Sequence, residues 1–441
     1  MIPAAGLHID QAPPLHIPFR FFFTAPLFLM LAAGALIVWN GELFQERWSP
    51  QTIAVTHLVV LGWITMIMCG ALYQMLPVLA GLPVRHPALA PWVHASLSLG
   101  ILTLVLEIGI GLHRWLLLAA SFFLAAALTL FIGQIARTLA AAPARHPTIN
   151  AMALALTALA VVLILGLTFL GEYAHGFLGF DRPAMLGLHV AWALFGWVGL
   201  LIIGVSFQVL PMFYMMPLFP VVPARWILGG LFLSLVGVTP LLLLRPESHG
   251  LLLLAMIPGY AAVAGYALVL KQSAAKRKRR IVDASWVLWI FGLSCAGLAT
   301  LLPPLWFVLE SETLRLLFGV LYLLGGVVSI TLAMLFKIVP FLVWFHRFSR
   351  LAGLVQIPMM EDLYPEPLAK WGVGLHLAGT VSLLGGLAGY AILVQLGGIL
   401  MGGVAILLVF GILSALRHPV PEAPPTADFA SFFKDLPPPP P

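Results

Sequence analysis

The stretch from Thr56 to Gly81, THLVVLGWITMIMCGALYQMLPVLAG, recurs in this chain. A second copy, HVAWALFGWVGLLIIGVSFQVLPMF, begins at His189, and a fainter third, LYLLGGVVSITLAMLFKIVPF, ends at Phe341. Four markers keep their offsets: a glycine (Gly62, Gly196, Gly325), a small residue eight later (Gly70, Gly204, Ala333), a long polar residue twelve later (Gln74, Gln208, Lys337) and a proline fifteen later (Pro77, Pro211, Pro340). We interpret the pattern as a unit of roughly 130 residues used three times.

The composition is that of a membrane protein. Hydrophobic residues make up 61% of the chain and charged residues 9%, and the mean hydropathy is +1.06. A soluble domain does not have this composition, so lipid is the solvent for most of the chain. The net charge of +6 then indicates topology and some attraction to anionic lipid, and it does not suggest nucleic-acid binding.

About twelve apolar runs are long enough to cross a hydrocarbon core roughly 30 Å thick. Because backbone polar groups in lipid must be satisfied within the segment, we predict an all-α polytopic fold. The predicted spans are 18–40, 52–80, 89–112, 115–138, 149–171, 184–212, 224–244, 250–270, 284–307, 315–344, 369–391 and 394–416.

The spans form three pseudo-repeats of four, at about 18–140, 149–270 and 284–416, within one membrane domain over 18–418. We predict a short cytoplasmic leader at 1–17 and a disordered Pro-rich tail at 419–441. With the N-terminus inside, sixteen Lys and Arg residues fall in inside segments and five in outside loops. This bias predicts a multi-pass protein of a bacterial-type inner (plasma) membrane with both termini in the cytoplasm.

Most residues of the repeated motif are explained by helix packing and helix geometry. Glycines let neighbouring helices approach closely, and a long polar side chain can satisfy the carbonyl that a helix proline leaves free. Lys337 replaces a glutamine within its span, where it is paired, bonded to carbonyls or part of a proton or anion path. Glu107, near the outer end of the third span, is expected to reach water.

Histidines within spans point to chemistry, because ionisable groups in a bilayer are rare and often functional. His57 and His189 are the main candidates, since both are predicted near the outer face and imidazole binds haem iron and copper. A helical wheel puts them on different faces, so a shared symmetric site is not expected. His94 and His376 are weaker candidates as metal ligands, and a hydrogen-bonded structural histidine is the alternative for all four.

The pattern H-x4-G-x14-P followed by LAG, as in His57, Gly62, Pro77 and Leu79–Gly81, resembles the second helix of haem-copper oxidase catalytic subunits. The same spacing resembles the NnrS family of haem-containing nitric-oxide-response membrane proteins, whose start is similar to Phe19–Phe23. The resemblance implies twelve helices with threefold pseudo-symmetry, haem b, copper and a small gas ligand. It implies that His57 is a low-spin haem ligand and that His189 lies on a copper-binding helix.

The chain departs from that pattern in the third repeat. An oxidase places two histidines on its tenth helix, but here the positions matching His57 and His189 are Val320 and Phe318. The seventh span lacks the paired copper-binding histidines. Three functions therefore stay open: a haem-binding protein, with or without copper, for redox chemistry or nitric-oxide handling; a cofactor-free relative acting as transporter or assembly partner; and a permease with an independent repeat.

Overall fold

The computed structural model describes residues 11–142, 146–176 and 181–422, and within these ranges the chain is helical with no strand. The twelve long helices are α1 His16–Trp39, α2 Pro50–Ala80, α3 Ala90–Ile110, α4 Trp115–Ala141, α5 Pro147–His175, α6 Arg182–Tyr214, α7 Val221–Leu244, α8 His249–Ala275, α9 Ala284–Thr300, α10 Glu312–Arg347, α11 Glu366–Gly386 and α12 Ala391–Arg417. Each lies on one predicted span, which confirms the all-α fold class.

Eleven of these helices are long and apolar enough to cross a membrane, and α11 is the exception. Its 21 residues would extend about 31 Å at 1.5 Å per residue, so its length suffices. Its sequence is less apolar because it carries Lys370 near its start and His376 in its middle. His376 is fully buried against α10, so protein rather than lipid surrounds this polar side chain.

The three motif helices form the centre of the molecule. In an 18-residue apolar stretch of each spanning helix, 67%, 61% and 78% of the residues of α2, α6 and α10 are buried. The corresponding share is 50% or less in every other spanning helix described. α1 packs against both α2 and α12, which brings the two ends of the helical region together. We call the end of the motif helices near His57 and His189 the histidine end, and the end near Pro77, Pro211 and Pro340 the proline end.

Each motif helix contains a π-helical segment, which the sequence analysis did not predict. The segments are Leu58–Thr65, Trp192–Leu200 and Val320–Val328, and each contains the motif glycine. π-Helical turns inside α-helices are rare and often lie at functional sites. Their recurrence at one position of all three motif copies supports the triplication.

The motif glycines are contact points with the first helix of each repeat. A Cβ on Gly62 would lie 2.6 Å from Phe28 of α1, one on Gly196 2.7 Å from Ala158 of α5, and one on Gly325 2.9 Å from Cys295 of α9. Real Cβ atoms do not approach other atoms so closely. The predicted role of these glycines in close helix packing is therefore confirmed.

The second small residue repeats the same contact further along. A Cβ on Gly70 would lie 2.9 Å from Phe21 of α1, and one on Gly204 would overlap Ala151 of α5. Ala333 is fully buried at the third equivalent position. In the first two repeats, two small residues therefore hold the motif helix against the first helix of its repeat.

The connection between α9 and α10 differs from the prediction. The sequence analysis extended the ninth span to residue 307, whereas α9 ends at Thr300 and a short separate helix, Pro303–Leu309, follows. Proline at the first position of a helix is favourable because its missing N–H would have no intrahelical partner. Leu301 and Leu302 therefore separate two helices.

Candidate functional site

His57 is fixed in one orientation by its own helix. Its Nδ1 lies 2.8 Å from the carbonyl oxygen of Ile53, one turn earlier, so Nδ1 carries the proton and donates. Nε2 then holds the lone pair, and no hydrogen bond to it occurs within the described residues. Metal-ligating histidines usually donate the other ring N–H to a carbonyl in this way.

His189 faces a glycine and an aromatic ring of α5. A Cβ on Gly166 would lie 3.5 Å from the imidazole Cε1, and the Phe169 ring stands edge-on with centroids 5.7 Å apart. The Nδ1 atom is buried and has no hydrogen-bond partner in the described chain. A buried polar atom without a partner needs an explanation, and an absent ligand is one.

His57 lies on α2 and His189 on α6, and these two helices meet where Trp197 of α6 donates to the Thr65 hydroxyl of α2 at 3.0 Å. The helical wheel assumed one rotation per residue, whereas the segments between each histidine and its motif glycine are π-helical, which changes the angle between the two faces. In a ring of three related helices, moreover, neighbours meet through different faces. Residues at different positions of the repeat can therefore point towards each other.

His94 and His376 have hydroxyl partners and lie at separate places. The Nε2 atom of His94 lies 2.8 Å from Thr24 Oγ1, and its ring contacts Phe21. The Nε2 atom of His376 lies 2.7 Å from Ser329 Oγ, while its Nδ1 is buried without a partner. Both Nε2 atoms are engaged, which makes these residues poorer ligands than His57.

In the third repeat an aromatic cluster stands where the other two have histidine. Phe318 stacks on Tyr322 with centroids 5.4 Å apart and meets Trp306 edge-on at 5.2 Å. Phe195 of α6 packs against Tyr322 at 5.3 Å. Among the described residues, no group of three or more His, Cys, Asp and Glu side chains could hold a metal ion.

A closed ring of three hydrogen bonds joins the motif helices. Trp63 of α2 donates to the Thr331 hydroxyl of α10 at 2.9 Å, and Trp197 of α6 donates to the Thr65 hydroxyl of α2 at 3.0 Å. Tyr322 of α10 donates to the Leu194 carbonyl of α6 at 2.9 Å. Each helix gives one bond and accepts one. The sequence analysis missed these residues, although a Trp directly after the first two motif glycines was a signal.

A small apolar cavity of about 70 Å³ lies on the proline side of this ring. Its lining includes four methionines and Trp289, whose buried Nε1 has no acceptor. A water molecule occupies about 30 Å³ of liquid, and drug-sized ligands need roughly 300 Å³ or more. A porphyrin therefore does not fit this cavity.

Lys337 forms an ion pair, which is one of the three roles considered for it. Its Nζ lies 2.6 Å from Asp283 Oδ2, and both side chains are less than a fifth exposed. The other carboxylate oxygen of Asp283 accepts the backbone N–H of Trp286 at 2.9 Å and caps α9. Asp283, which the sequence analysis did not single out, thus neutralises the one lysine within the motif helices.

Two expectations about polar residues were wrong. Glu107 is buried, at 7% exposed, and its carboxylate accepts the backbone N–H of His113 at 2.7 Å rather than reaching water. Gln74 does not satisfy a carbonyl beside Pro77, because its buried side-chain oxygen is unpartnered and no bond from its amide occurs in the described residues. Gln208 lies half-buried at the same position of α6, again without such a bond.

Comparison with known proteins identifies the architecture. No family model matches the sequence, and no curated protein matches it. The structure is similar to a chain of a haem-copper terminal oxidase dimer solved by cryo-electron microscopy. The TM-score is 0.63 at 12% sequence identity, over 93% of this chain and 86% of that chain. The protein is therefore a multi-pass membrane protein with a haem-copper-oxidase-like fold.

Proposed function

We propose that this chain is a membrane haem protein in which His57 and His189 supply imidazole ligands to one iron. The observation that carries the proposal is His57 itself, whose Nδ1–H donates to Ile53 and whose Nε2 lone pair has no partner in the described residues. The fold adds support, because the similar structure is a haem-copper terminal oxidase. The NnrS-like features of the sequence agree with the same reading.

The residues fit a haem and do not fit a haem–copper centre. Imidazole is a common ligand of haem iron, and His189 adds a buried Nδ1 without a partner in the described residues, on a helix that contacts α2 through the Trp197–Thr65 hydrogen bond. A copper centre of the oxidase type would need further histidines on α7 and α10, where α10 instead has the aromatic cluster around Phe318 and Tyr322. We therefore propose a site for one-electron chemistry and derive no oxygen reduction.

The chain itself would position and insulate such a group. The Ile53 carbonyl keeps the His57 ring in one tautomer, and Phe169 restrains the His189 ring from the side. With the predicted orientation, the histidine end lies near the outer face and both termini lie in the cytoplasm. Bound haem would supply one-electron transfer at an iron held by both imidazoles.

Absorption spectra of the purified full chain, produced with ample haem, test the proposal. We expect a Soret band with low-spin features, its loss in His57→Ala, and conversion to a high-spin spectrum in His189→Ala. Iron and copper analysis of the same samples gives the stoichiometry.

His94→Ala is the matched control, because it also removes an intramembrane imidazole but one whose Nε2 is engaged with Thr24. It should keep the band. A colourless wild-type protein without bound iron, or a band that persists in His57→Ala, would contradict the proposal.

A further inference from the structure

A second feature, independent of the histidines, is a groove between α7 and α8. Its volume is about 900 Å³, and it is open on the side that faces away from the helix bundle, where Trp226 is 76% and Leu233 59% exposed. The residues that shape it include Trp226, Gly229 and Leu233 of α7 and Ala261, Gly265 and Val269 of α8. α7 and α8 are also the least buried of the spanning helices described, because only 22% and 17% of the residues in their 18-residue apolar stretches are buried.

The groove lies beside a close contact between the two helices. A Cβ on Gly230 would lie 2.7 Å from the carbonyl oxygen of Pro258, and the Ser234 hydroxyl accepts the Gly259 N–H at 2.7 Å. One residue away, Gly229 has no atom of another element within 4 Å of where its Cβ would be. The missing side chain at Gly229 thus leaves a hollow rather than a contact.

Positive charge collects at one end of the groove. Arg225 is exposed in the first turn of α7, next to Trp226. On α8, the face that carries Gly265 and Val269 continues at helical spacing to Lys276, which is exposed at the end of the helix. Lys271 is exposed one turn before that end. The mouth of the groove is therefore basic.

The nearest carboxylate along the chain does not cancel this charge. Asp283 is held by Lys337 at 2.6 Å and lies 3.9 Å from Arg279. Arg225, Lys271 and Lys276 form no ion pair among the described residues. These three cations are available to an anion outside the protein.

We propose that the groove binds a phospholipid with an anionic headgroup, with an acyl chain along Gly229 and Gly265 and the phosphate at Arg225, Lys271 and Lys276. From Pro223 to Val236 the groove follows about 20 Å of helix, which is enough to span one leaflet, about 15 Å of a core roughly 30 Å thick. Trp226 lies at the basic end, and Trp favours the headgroup region. Basic pockets between membrane helices bind anionic headgroups in this manner.

The test measures lipid retained by the purified full chain. Native mass spectrometry after exchange into phosphatidylglycerol or phosphatidylcholine with identical acyl chains should show one retained phosphatidylglycerol and no retained phosphatidylcholine. The triple variant Arg225→Gln, Lys271→Gln, Lys276→Gln should lose that preference. Gly229→Leu should lose the lipid because its side chain fills the groove.

Matched controls lie elsewhere in the same chain. Arg245→Gln removes a cation at the other end of α7, and Gly133→Leu adds the same side chain to α4, where nothing lies within 4 Å. Both should keep the lipid. If Gly229→Leu fails to fold, the exposed Ala261→Leu fills the same groove from α8.

Two results would overturn the proposal. Equal retention of both lipids in all variants would mean that the groove has no headgroup preference. A change in oligomeric state in Gly229→Leu, without any change in retained lipid, would assign the groove to a protein contact.

Discussion

Lys337 and Gln74 occupy the same position of the repeat, but different surroundings give them different partners. Lys337 meets Asp283, which is 54 residues away along the chain, whereas the Gln74 oxygen is buried without a partner. The same contrast separates the histidines, since the Nε2 of His94 is engaged with a hydroxyl and that of His57 is not. At this scale, residue type predicts which chemistry is available, and the neighbouring helix decides whether it is used.

Lys337→Gln should destabilise the protein, because it leaves Asp283 partly buried without its close cation. We expect a loss of about 1 to 3 kcal/mol in unfolding free energy, below the full value for a buried pair since each side chain is 17–18% exposed. Asp283→Asn keeps the helix cap and removes the charge. Unfolding free energies measured in mixed micelles should show that the double variant Lys337→Gln, Asp283→Asn loses less than the sum of the two single variants. Losses that add strictly would contradict a direct pair.

At the scale of the helix, the small residues of the motif let each motif helix pack closely against its neighbour. The first small residue of each motif helix lies in a π-helical segment and faces the first helix of its repeat. The second small residue does the same in the first two repeats. The sequence analysis predicted helix positions from hydropathy and close packing from glycine spacing. It did not predict the π-helical turns, because apolar runs of this length look alike in α- and π-helices.

Gly204→Ala should separate α5 from α6, since a methyl group there overlaps that of Ala151. Overpacking of this kind costs about 1 to 3 kcal/mol. The compensating variant Gly204→Ala with Ala151→Gly should restore the thermal midpoint of the purified protein.

Gly133→Ala on α4 is the control, because its Cβ meets no atom within 4 Å and alanine favours a helix. It should leave the midpoint unchanged or raise it. A Gly204→Ala protein as stable as the wild type would contradict the close contact.

At the scale of the whole molecule, the three repeats are held by contacts that run in one direction around the centre. Trp63, Trp197 and Tyr322 each donate to the next motif helix and close a ring. The bond donated by the third repeat joins a tyrosine to a backbone carbonyl of α6, whereas the other two bonds join a tryptophan to a threonine. The same repeat carries the Phe318 cluster, so the symmetry of the fold is retained while the side chains have diverged.

Trp63→Phe should remove the hydrogen bond to Thr331 while retaining most of the buried aromatic side-chain volume. We expect about 0.5 to 1.5 kcal/mol of destabilisation, as for a typical buried hydrogen bond. The double variant Trp63→Phe, Trp197→Phe should lose a different amount from the sum of the single variants, because both bonds reach α2. Additive losses in the unfolding free energy would mean that the bonds act independently.

The sequence by itself determined the membrane class, the position of the helices, the triplication and the short list of histidines. These follow from composition, hydropathy and spacing, which depend only on neighbours along the chain. Only the tertiary structure decided that His94 bonds Thr24, that Asp283 holds Lys337 and that three side chains close a ring. Such pairs depend on how each helix is rotated about its axis, and the π-helical segments change that rotation without any signal in the apolar pattern.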